Sequence, residues 1–454
     1  MTNILNSGAE PPKVKLVTEV WGPFQSLMAA RRNVLEIIPL AATKQPIISG
    51  RTVQVRWHMV MEPDAIGQVL KENLDIYPKS DVTKNLLKPA IGDSMFIAEG
   101  AHWRWQRRAG SPVFTHSNIA NLAPIMSAAA DATCMRLKNA AGTVDMYEEM
   151  VEATFEVISN VTFSGTGSMD SAEVHHAINR YIDQTARISL FDVIGIPTWV
   201  PRPFRLFKPN ALKKMKDIAD TSIRKRREQG AKPIPDLLDL LLDGEDPETK
   251  RQMNMAELRD NLLTFIVAGH ETTALTLSWA LYLCAFDPEV QDKLRVEAQS
   301  VLHGRVATAE DCAHLPYTEQ VIKETLRLYP PAAFISRTAQ ASDTLCGRDI
   351  KRKDTVILPI YALHRHHDLW DRPDQFDPER FANGYKPKRY SYLPFGDGPR
   401  ICIGAQFAMI ETVIILSTLI SRYKFTRIEG RDPKPVMVLT LRPDGGVPLK
   451  VTHL

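Results

Sequence analysis

Cysteine is scarce in this chain, with five residues among 454, and no two of them form a C-x-x-C pair. Their wide spacing argues against a zinc ribbon or a dithiol redox motif. So few cysteines in so long a chain also argue against a disulfide framework. The cytoplasm is therefore the expected compartment, and a cysteine with a chemical role has to act alone. The five are Cys134, Cys284, Cys312, Cys346 and Cys402.

An excess of charge and long apolar runs are missing as well. The formal net charge is only +3, which provides no general attraction to nucleic acid. The longest apolar runs, such as "VIILSTLI" at 413–420, are far shorter than the about 20 residues that cross a membrane. The N-terminal stretch has no basic region followed by an apolar one, so no signal peptide is visible. We expect a monomer without a transmembrane segment.

Helical periodicity dominates the patterns that are present. Strand-like patterns are short and lie at 45–60, within 334–360 and at the C-terminal end. We therefore expect one domain over residues 1–454, mainly α with a small β subdomain. The predicted helices are 117–140, 144–163, 213–229, 256–286, 288–302, 317–328 and 404–421.

Several segments are predicted to connect or decorate these helices. A proline cluster at 197–209 predicts a loop, and the surrounding 185–210 region is expected to form a mobile lid. The polar stretch 243–252 predicts a solvated connector. The basic runs at 213–216 and 224–227 are interpreted as solvated helix faces.

The lone Cys402 lies in the glycine-rich stretch "FGDGPRICIG", directly before the apolar helix pattern. Free N–H groups and the positive dipole end of a helix stabilise a thiolate, so we expect a lowered pKa. Gly396 and Gly398 allow the backbone to turn tightly beside a flat partner. Arg400 adds a cation suited to carboxylates. This combination indicates a haem, with sulfur bound to iron and arginine to a propionate, although an inert cysteine at a helix cap remains the alternative.

A second unusual stretch, "AGHETT" at 268–273, interrupts a long apolar helix pattern. Gly269 costs about 1 kcal/mol there relative to alanine, and the polar groups of Glu271 and Thr272 need partners. The interpretation is a helix opened locally beside a ligand, with the threonine hydroxyl pointing outward and the acid passing protons. The alternative is an ordinary turn in which Thr272 donates back to the carbonyl four residues earlier.

Two further clusters are weaker signals. Glu324 and Arg327, in "KETLRLYPP", share one helix face, which by itself indicates only a surface ion pair of little energy. His364, His366 and His367, in "HRHHD", lack the spaced cysteine or carboxylate partners of a zinc site. We expect no metal at these histidines.

These stretches together resemble the cytochrome P-450 superfamily over nearly the whole chain. The string Phe395-x-x-Gly398-x-Arg400-x-Cys402-x-Gly404 resembles its haem-binding loop at every defined position. "AGHETT" resembles the oxygen-activating motif, "KETLRLYPP" with "FDPERF" resembles the E-x-x-R pair and its later arginine, and "WRWQR" resembles the W-x-x-x-R pattern.

The resemblance implies haem b (iron protoporphyrin IX) as the cofactor and assigns roles around it. The implied haem contacts are Cys402 as the thiolate ligand of iron, Phe395, Gly398, Arg400 and Gly404 in its loop, and Trp103, Arg107 and Arg337, of which Arg107 and Arg337 are implied propionate partners. Thr272 and Glu271 would handle oxygen and its protons. Glu324, Arg327 and Arg380 would form a buried structural triad. The implied substrate pocket comprises Phe96, Phe265, Ala268, Ala333, Phe334 and Leu439.

The implied activity is monooxygenation of a small, mostly apolar organic substrate with O2. No flavin domain is recognisable, so the electrons are expected from a separate ferredoxin or flavodoxin with its reductase. The basic side chains Arg104, Arg107, Arg108, Lys386, Lys388 and Arg389 are expected to form its docking patch. The alternatives are a peroxide-using or isomerising haem-thiolate enzyme, and a haem-binding sensor without turnover.

Overall fold

The computed structural model describes residues 10–19, 22–52, 55–140, 142–163 and 209–454. The predicted lid at 185–210 and the predicted loop at 197–209 lie almost entirely outside the described residues. The helices in this part are α1 (Pro23–Arg32), α2 (Pro63–Gly67), α3 (Asp81–Ile91), α4 (Gly100–Gly110), α5 (His116–Asn139), α6 (Met146–Phe163), α7 (Pro209–Gln229), α8 (Leu237–Leu242), α9 (Met255–Phe286), α10 (Pro288–Leu302), α11 (Pro316–Leu328), α12 (Ile360–Leu363) and α13 (Ala405–Arg422).

Helix α9 is the longest of the described helices, with 32 residues, and it forms the centre of the core. It begins with a capping box: Asn254 Oδ1 accepts from the Glu257 N–H at 3.0 Å, and Glu257 Oε2 accepts from the Asn254 N–H at 3.0 Å. Nearly every residue from Asp260 to Ala285 is buried. A helix that is buried on all sides belongs to the interior, so its few accessible positions are informative.

Helix α13 follows the cysteine loop and is the one described helix that by length and composition could cross a membrane. Its apolar residues Val413–Ile420 are buried, and 67% of the helix lies inside the protein. This burial is what a core helix requires. Helices α5, α9 and α10 pack around it.

The β structure consists of small sheets. The strands are β1 (Ile47–Thr52), β2 (Val55–Val60), β3 (Thr143–Asp145), β4 (Ile335–Thr338), β5 (Asp343–Leu345), β6 (Arg348–Ile350), β7 (Thr355–Leu358), β8 (Tyr423–Arg427), β9 (Lys434–Met437), β10 (Leu441–Asp444) and β11 (Pro448–His453). The largest sheet has the strand order β1-β2-β7-β4, with β2 parallel to β7 (Trp57↔Thr355) and β4 antiparallel to β7 (Arg337↔Val356). The predicted class, mainly α with a small β part, is confirmed.

Two predictions about solvated charges are wrong in part. In the connector 243–252, Asp246 is buried and accepts from Arg108 Nε at 2.6 Å and Nη2 at 2.9 Å. In the run 224–227, Arg226 is buried and pairs with Asp236 at 3.0 Å and Asp239 at 2.7 Å. A buried carboxylate or guanidinium persists because its partner compensates the lost hydration, and sequence alone does not show that partner.

Candidate active site

The cysteine loop is closed by its own backbone. The Cys402 N–H donates to the Phe395 carbonyl at 2.9 Å, and the Ile401 N–H donates to the Gly398 carbonyl at 3.1 Å. Gly398 has a φ of +72°, and a Cβ there would lie 2.4 Å from the carbonyl oxygen of Leu70. The requirement for glycine at 398 thus comes from this neighbouring turn and the left-handed backbone. Gly396 also has a positive φ, and its free side has ordinary space.

The Cys402 residue is solvent-accessible, but protein surrounds the thiol on its other sides. Burial raises the pKa of this thiol above its ordinary value, against the opposing effects of the Gly404 N–H and the Arg107 guanidinium. The expected lowering of the pKa is therefore wrong for the free thiol. Helix-end and arginine effects are outweighed by desolvation, and a coordinated metal cation would reverse that balance by deprotonating the thiol outright.

A cluster of cations lies beside the loop. Arg400 donates from Nη2 to the Ala98 carbonyl at 3.0 Å, pairs with Glu99, and lies over the Trp103 ring at 4.3 Å. Arg337 in β4 is only 4% exposed. Burial, and to a smaller extent the charge of Arg400, lowers the pKa of Arg337 to about 10. Among the described residues, the Nε of Arg337 and the Nη1 of Arg400 are buried without a hydrogen-bond partner. Such donors call for an acceptor, which the described part of the chain does not supply.

Lys79 belongs to the same cluster and was missed in the sequence. Its Nζ lies 3.9 Å from the centre of the Phe96 ring. Burial, and next the charges of Arg337 and Arg400, lower its pKa well below the usual value. Its backbone N–H donates to Glu99 at 2.8 Å. Nothing in the sequence near Lys79 marks it, because its partners come from segments far along the chain.

These cations, which we call the open cluster (Lys79, Arg337, Arg400 and the one acid Glu99), fit the carboxylates of a haem. Four cations are near the single carboxylate of Glu99, because Lys84 also pairs with it at 3.5 Å, and two buried donor atoms have no partner among the described residues. Arg107 in α4 is half-buried, has no ion pair within the described residues, and feels the Cys402 thiol electrostatically. A flat ligand with two carboxylates would give these cations their partners, and a metal ion in that ligand would bind the Cys402 sulfur.

The long helix α9 has one short accessible stretch within its buried part. Between Asp260 and Ala285, only Val267, Ala268, Gly269 and Thr272 are accessible. Phe265 packs edge-to-face on Phe114 with ring centres 5.3 Å apart, and Phe114 is the nearest group to the Gly404 Cβ position, at 3.7 Å. The cysteine loop is thus joined to the middle of α9 through one aromatic contact.

The predicted local opening of α9 is not present. The helix is continuous, and the Thr272 hydroxyl donates to the Ala268 carbonyl at 2.8 Å. This is the back-bonded alternative, which uses the hydroxyl proton inside the helix turn. A hydroxyl keeps its acceptor sites after donating, so Thr272 can still accept a hydrogen bond at the accessible face.

The Glu271 carboxylate is directed toward other residues than Thr272. Its carboxylate is buried and accepts from Thr440 Oγ1 at 2.7 Å and from Arg442 Nε at 2.6 Å. Both donors lie at the hairpin formed by β9 and β10. The part of Glu271 in proton transfer remains a prediction, and its partners were not visible in the sequence.

A second buried glutamate was also missed. Glu411 in α13 is 2% exposed and hydrogen-bonds to Thr273, the neighbour of Thr272. Burial raises its pKa to about 8, although the Thr273 hydrogen bond opposes this. Glu411 is therefore mostly protonated at neutral pH. Its position inside the apolar run "FAMIETVIIL" was the available signal.

The predicted triad is brought together, and we call it the closed cluster (Glu324, Arg327 and Arg380). Arg327 donates to Glu324 at 2.7 and 2.8 Å, and Arg380 donates to it at 3.3 Å. Arg327 also donates to three backbone carbonyls at 2.6 to 2.9 Å. The neighbouring His364 uses both ring nitrogens, accepting from the Leu393 N–H at 2.8 Å and donating to the Arg327 carbonyl at 3.1 Å.

The predicted pocket residues differ in accessibility. Phe96 and Ala268 are exposed, and Phe334 and Leu439 are partly buried. Phe265 and Ala333 are buried, and the Ala333 carbonyl accepts from the Tyr361 N–H at 3.2 Å. Four pocket candidates thus have accessible apolar surface: Ala268 on α9, Phe334 directly before β4, Leu439 in the turn of the β9–β10 hairpin, and Phe96 beside Lys79.

Comparisons with known proteins identify the family of this chain. A family model described as Cytochrome P450 matches residues 12–450. A cyclooctat-9-en-7-ol 5-monooxygenase from Streptomyces melanosporofaciens is 31% identical, covering 89% of this chain and 87% of the relative. A cytokinin hydroxylase from Arabidopsis thaliana is 31% identical, covering 87% of this chain and 78% of the relative. The crystal structure of the cytochrome P450DA haem domain has the same fold, with a TM-score of 0.77 at 23% identity and coverage of 90% of each chain.

The family model spans nearly the whole chain, and the two relatives exceed 30% identity over most of their length. The fold match covers the same extent. The chain belongs to the cytochrome P450 family.

Proposed function

We propose that this chain is a haem-thiolate monooxygenase that hydroxylates a small, mostly apolar organic molecule with O2. The observation that carries this proposal is the pairing of two features across one site. One is the solvent-accessible residue Cys402, and the other is the accessible face of α9 at Val267–Gly269 and Thr272. Phe114 and Phe265 connect the two.

Each group of residues has a proposed role. Cys402 would hold the iron, and Arg337, Arg400, Lys79 and Arg107 would hold the propionates. A thiolate-ligated haem supplies the activation of O2 when two electrons and protons are delivered. The Thr272 hydroxyl donates its own proton to the Ala268 carbonyl, and its oxygen can still accept a hydrogen bond. Thr272 would therefore orient a proton donor at the accessible face of α9.

The substrate class follows from the apolar residues that are proposed to line the pocket. Val267, Ala268, Phe334 and Leu439 offer apolar surface and no charge. Two relatives carry names of a monooxygenase that acts on cyclooctat-9-en-7-ol and of a hydroxylase that acts on cytokinin. Screening a compound library for the low-to-high-spin shift of the haem spectrum identifies the ligands of the pocket.

The electron donor is proposed to be a separate ferredoxin or flavodoxin in the cytoplasm. The expected basic patch is partly neutralised: Arg104 pairs with Asp75 at 2.9 Å, and Lys388 pairs with Glu62 at 3.4 Å. A surface cleft of about 340 Å³ lies against the cysteine loop, where Pro399 lines it, and its charged lining residues are Lys71, Arg104, Glu72 and Asp75. Docking at this cleft would bring the donor beside the cysteine loop, and the balanced charges of the cleft would add little electrostatic attraction.

The central test is the reduced carbon monoxide spectrum. The wild type should show the red-shifted Soret band of thiolate ligation, and Cys402→Ser should lose it. Cys346→Ser, an exposed cysteine away from the loop, is the matched control and should keep the band. A Cys402→Ser variant with an unchanged band would overturn the proposal.

Two alternatives predict different turnover. A peroxide-using or isomerising enzyme converts substrate without NADH, a ferredoxin and its reductase. A sensor binds ligands and converts none. Product that depends on NADH, O2 and the partner proteins supports monooxygenation.

A further inference from the structure

A row of three hydrogen-bonded side chains lies in the largest sheet. His58 of β2 is 2% exposed, and its Nδ1 lies 2.8 Å from the Oγ of Ser49 in β1. Its Nε2 lies 3.1 Å from Oδ2 of Asp354, the residue directly before β7. Asp354 is buried like His58, whereas Ser49 is exposed. A hydroxyl that solvent can reach is thus backed by a buried imidazole and a buried carboxylate.

The hydrogen bonds of Asp354 decide which ring nitrogen of His58 carries the hydrogen. Asp354 Oδ2 also accepts from the Lys351 N–H at 2.8 Å and lies 3.3 Å from Nη2 of Arg56. Because this oxygen serves as an acceptor, Nε2 of the neutral His58 ring is the donor, and Nδ1 is left as the acceptor. Nδ1 is the nitrogen that faces the Ser49 hydroxyl. A serine beside a base that a third group orients is the arrangement that activates a nucleophile.

The backbone N–H of Ser49 is directed at the free edge of the sheet. The Met61 N–H donates to the Pro46 carbonyl at 2.8 Å, so the ladder bonds between β1 and β2 join every second pair from Pro46 onward. Ser49 and His58 form one of the pairs between these bonds, and the N–H of Ser49 therefore points away from β2. On that outer side β1 has no neighbouring strand among the described residues. The Ser49 N–H can thus donate to an oxyanion that forms on an acyl group at its own Oγ.

We propose that Ser49, His58 and Asp354 form a second reactive site, at which small, activated carboxylic esters acylate Ser49. His58 Nδ1 takes the hydroxyl proton as Oγ bonds to the acyl carbon. The bond from that carbon to the alcohol then breaks, and His58 gives the proton to the departing alcoholate. Water next attacks the acyl group, passes a proton through His58 to Ser49 Oγ and releases the carboxylic acid. Asp354 is a positioning residue that acts through His58.

The surroundings of Ser49 limit the substrates to small esters. Ser49 lies on an exposed edge strand, which offers little surface to hold a long acyl chain. The leaving alcohol therefore has to be a good leaving group, as it is in an activated ester. Arg337 of the open cluster lies on β4, at the opposite edge of the same sheet. The reaction uses neither O2 nor electrons, so it is separate from the proposed monooxygenation.

Acylation is measured on the full-length protein with para-nitrophenyl acetate. Wild type should release nitrophenol about tenfold or more faster than Ser49→Ala, which is less than the about 100-fold or more that general-base catalysis typically contributes. Mass spectrometry of peptides from the quenched reaction should find the acetyl group on Ser49. The control is Ser300→Ala on α10, an exposed serine that donates to the Glu297 carbonyl, and it should behave as wild type. Equal rates in wild type and Ser49→Ala would leave the three side chains as a structural contact only and overturn the proposal.

The part of Asp354 is tested with Asp354→Asn, which keeps the shape of the side chain. The new amide can donate to Nε2 of His58, which moves the ring hydrogen to Nδ1 and removes the acceptor that faces Ser49. Nitrogen NMR of the His58 ring should show this change of tautomer, and acylation should fall by about tenfold or more. A structural role alone would leave the tautomer as it is. An unchanged tautomer, or an unchanged acylation rate, would overturn the positioning by Asp354.

This proposal and the proposed function fail separately. Cys402→Ser should lose the red-shifted carbon monoxide band and still be acylated at Ser49 at the wild-type rate. Ser49→Ala should keep the band and the spin shift with ligand, because Ser49 touches neither Cys402 nor the open cluster in the described residues. A wild type without the band would overturn the proposed function alone. A wild type that shows the band but acylates no faster than Ser49→Ala would overturn the second reactive site alone.

Discussion

The closed cluster and the open cluster both place cations around one glutamate, but they differ in burial and hydrogen bonding. In the closed cluster, Glu324 is fully buried and receives donors from both arginines, and the other donors of Arg327 are taken up by carbonyls. In the open cluster, Glu99 is partly exposed, and Arg337 and Arg400 each leave a buried donor without a partner among the described residues. A buried cluster that satisfies itself stabilises the fold. A cluster with donors left over indicates a missing anion.

The largest expected effect comes from breaking the closed cluster. Arg327→Met leaves the buried Glu324 with a single partially aligned cation, so the free energy of unfolding should fall by about 3–5 kcal/mol. Urea unfolding measures this loss, which should be present in apoprotein and haem-loaded protein alike. The matched control is Arg372→Met, whose ion pairs are exposed. A loss no larger than that of the control would contradict the structural role.

Breaking the open cluster should lower haem affinity without lowering the stability of the apoprotein. Arg337→Met removes an uncompensated buried cation, so the apoprotein should be as stable as wild type or more stable. Haem affinity should fall by about tenfold or more, because a charge-assisted hydrogen bond contributes about 1.5–3 kcal/mol. Transfer of haem to a competing apoprotein measures the affinity, with the exposed Arg348→Met as the control. Reduced apoprotein stability with normal haem retention would reverse the assignment of the two clusters.

Glu411 extends the comparison to a buried carboxyl group without an adjacent cation. Its pKa is raised to about 8 from 4.5, so between these values the folded chain keeps a proton that the unfolded chain releases. The free energy of unfolding should therefore fall as pH rises through this window, by at most about 1.4 kcal/mol per pH unit. Glu411→Gln should remove this part of the slope, and the exposed Glu245→Gln should leave it. Parallel slopes in urea unfolding of wild type and Glu411→Gln would argue against a neutral Glu411.

The smallest effect is expected at the exposed ion pair of Arg104 with Asp75. Exposed pairs contribute about 0–1 kcal/mol, so Arg104→Glu should slow reduction by an acidic donor by no more than about fivefold. The decrease should shrink as salt is added, because screening weakens the attraction. Stopped-flow reduction across a salt series measures this, with Lys213→Glu on α7 as the control. A much larger effect, insensitive to salt, would assign Arg104 a role within the haem site.

The helices and the motif residues were predictable from sequence because they depend on local patterns. The prediction 256–286 matches α9 at Met255–Phe286, and 288–302 matches α10. Glu324, Arg327 and Arg380 were expected together and lie together. In each case a periodicity or a short motif carries the information.

The partners of the site residues were not predictable for the opposite reason. Glu271 was expected to face the oxygen side, and only the folded chain shows that Arg442 turns it to the hairpin. The pKa of Cys402 was expected to fall, but burial by distant segments outweighs the nearby helix end. Hydrogen-bond partners and desolvation depend on segments that are distant in the sequence and meet only in the folded protein. Local sequence patterns therefore do not predict them.

The contact between Arg400 and Glu99 joins residues 301 positions apart in the chain. Loop-closure entropy has to be overcome before such a contact forms, so contacts of this span favour late steps of folding. Lys79 and Arg337 meet Glu99 and Arg400 under the same constraint. The proposed haem site would therefore be completed only when these distant parts of the chain have docked. Haem uptake during refolding should lag behind helix formation, and its rate reports the final docking step.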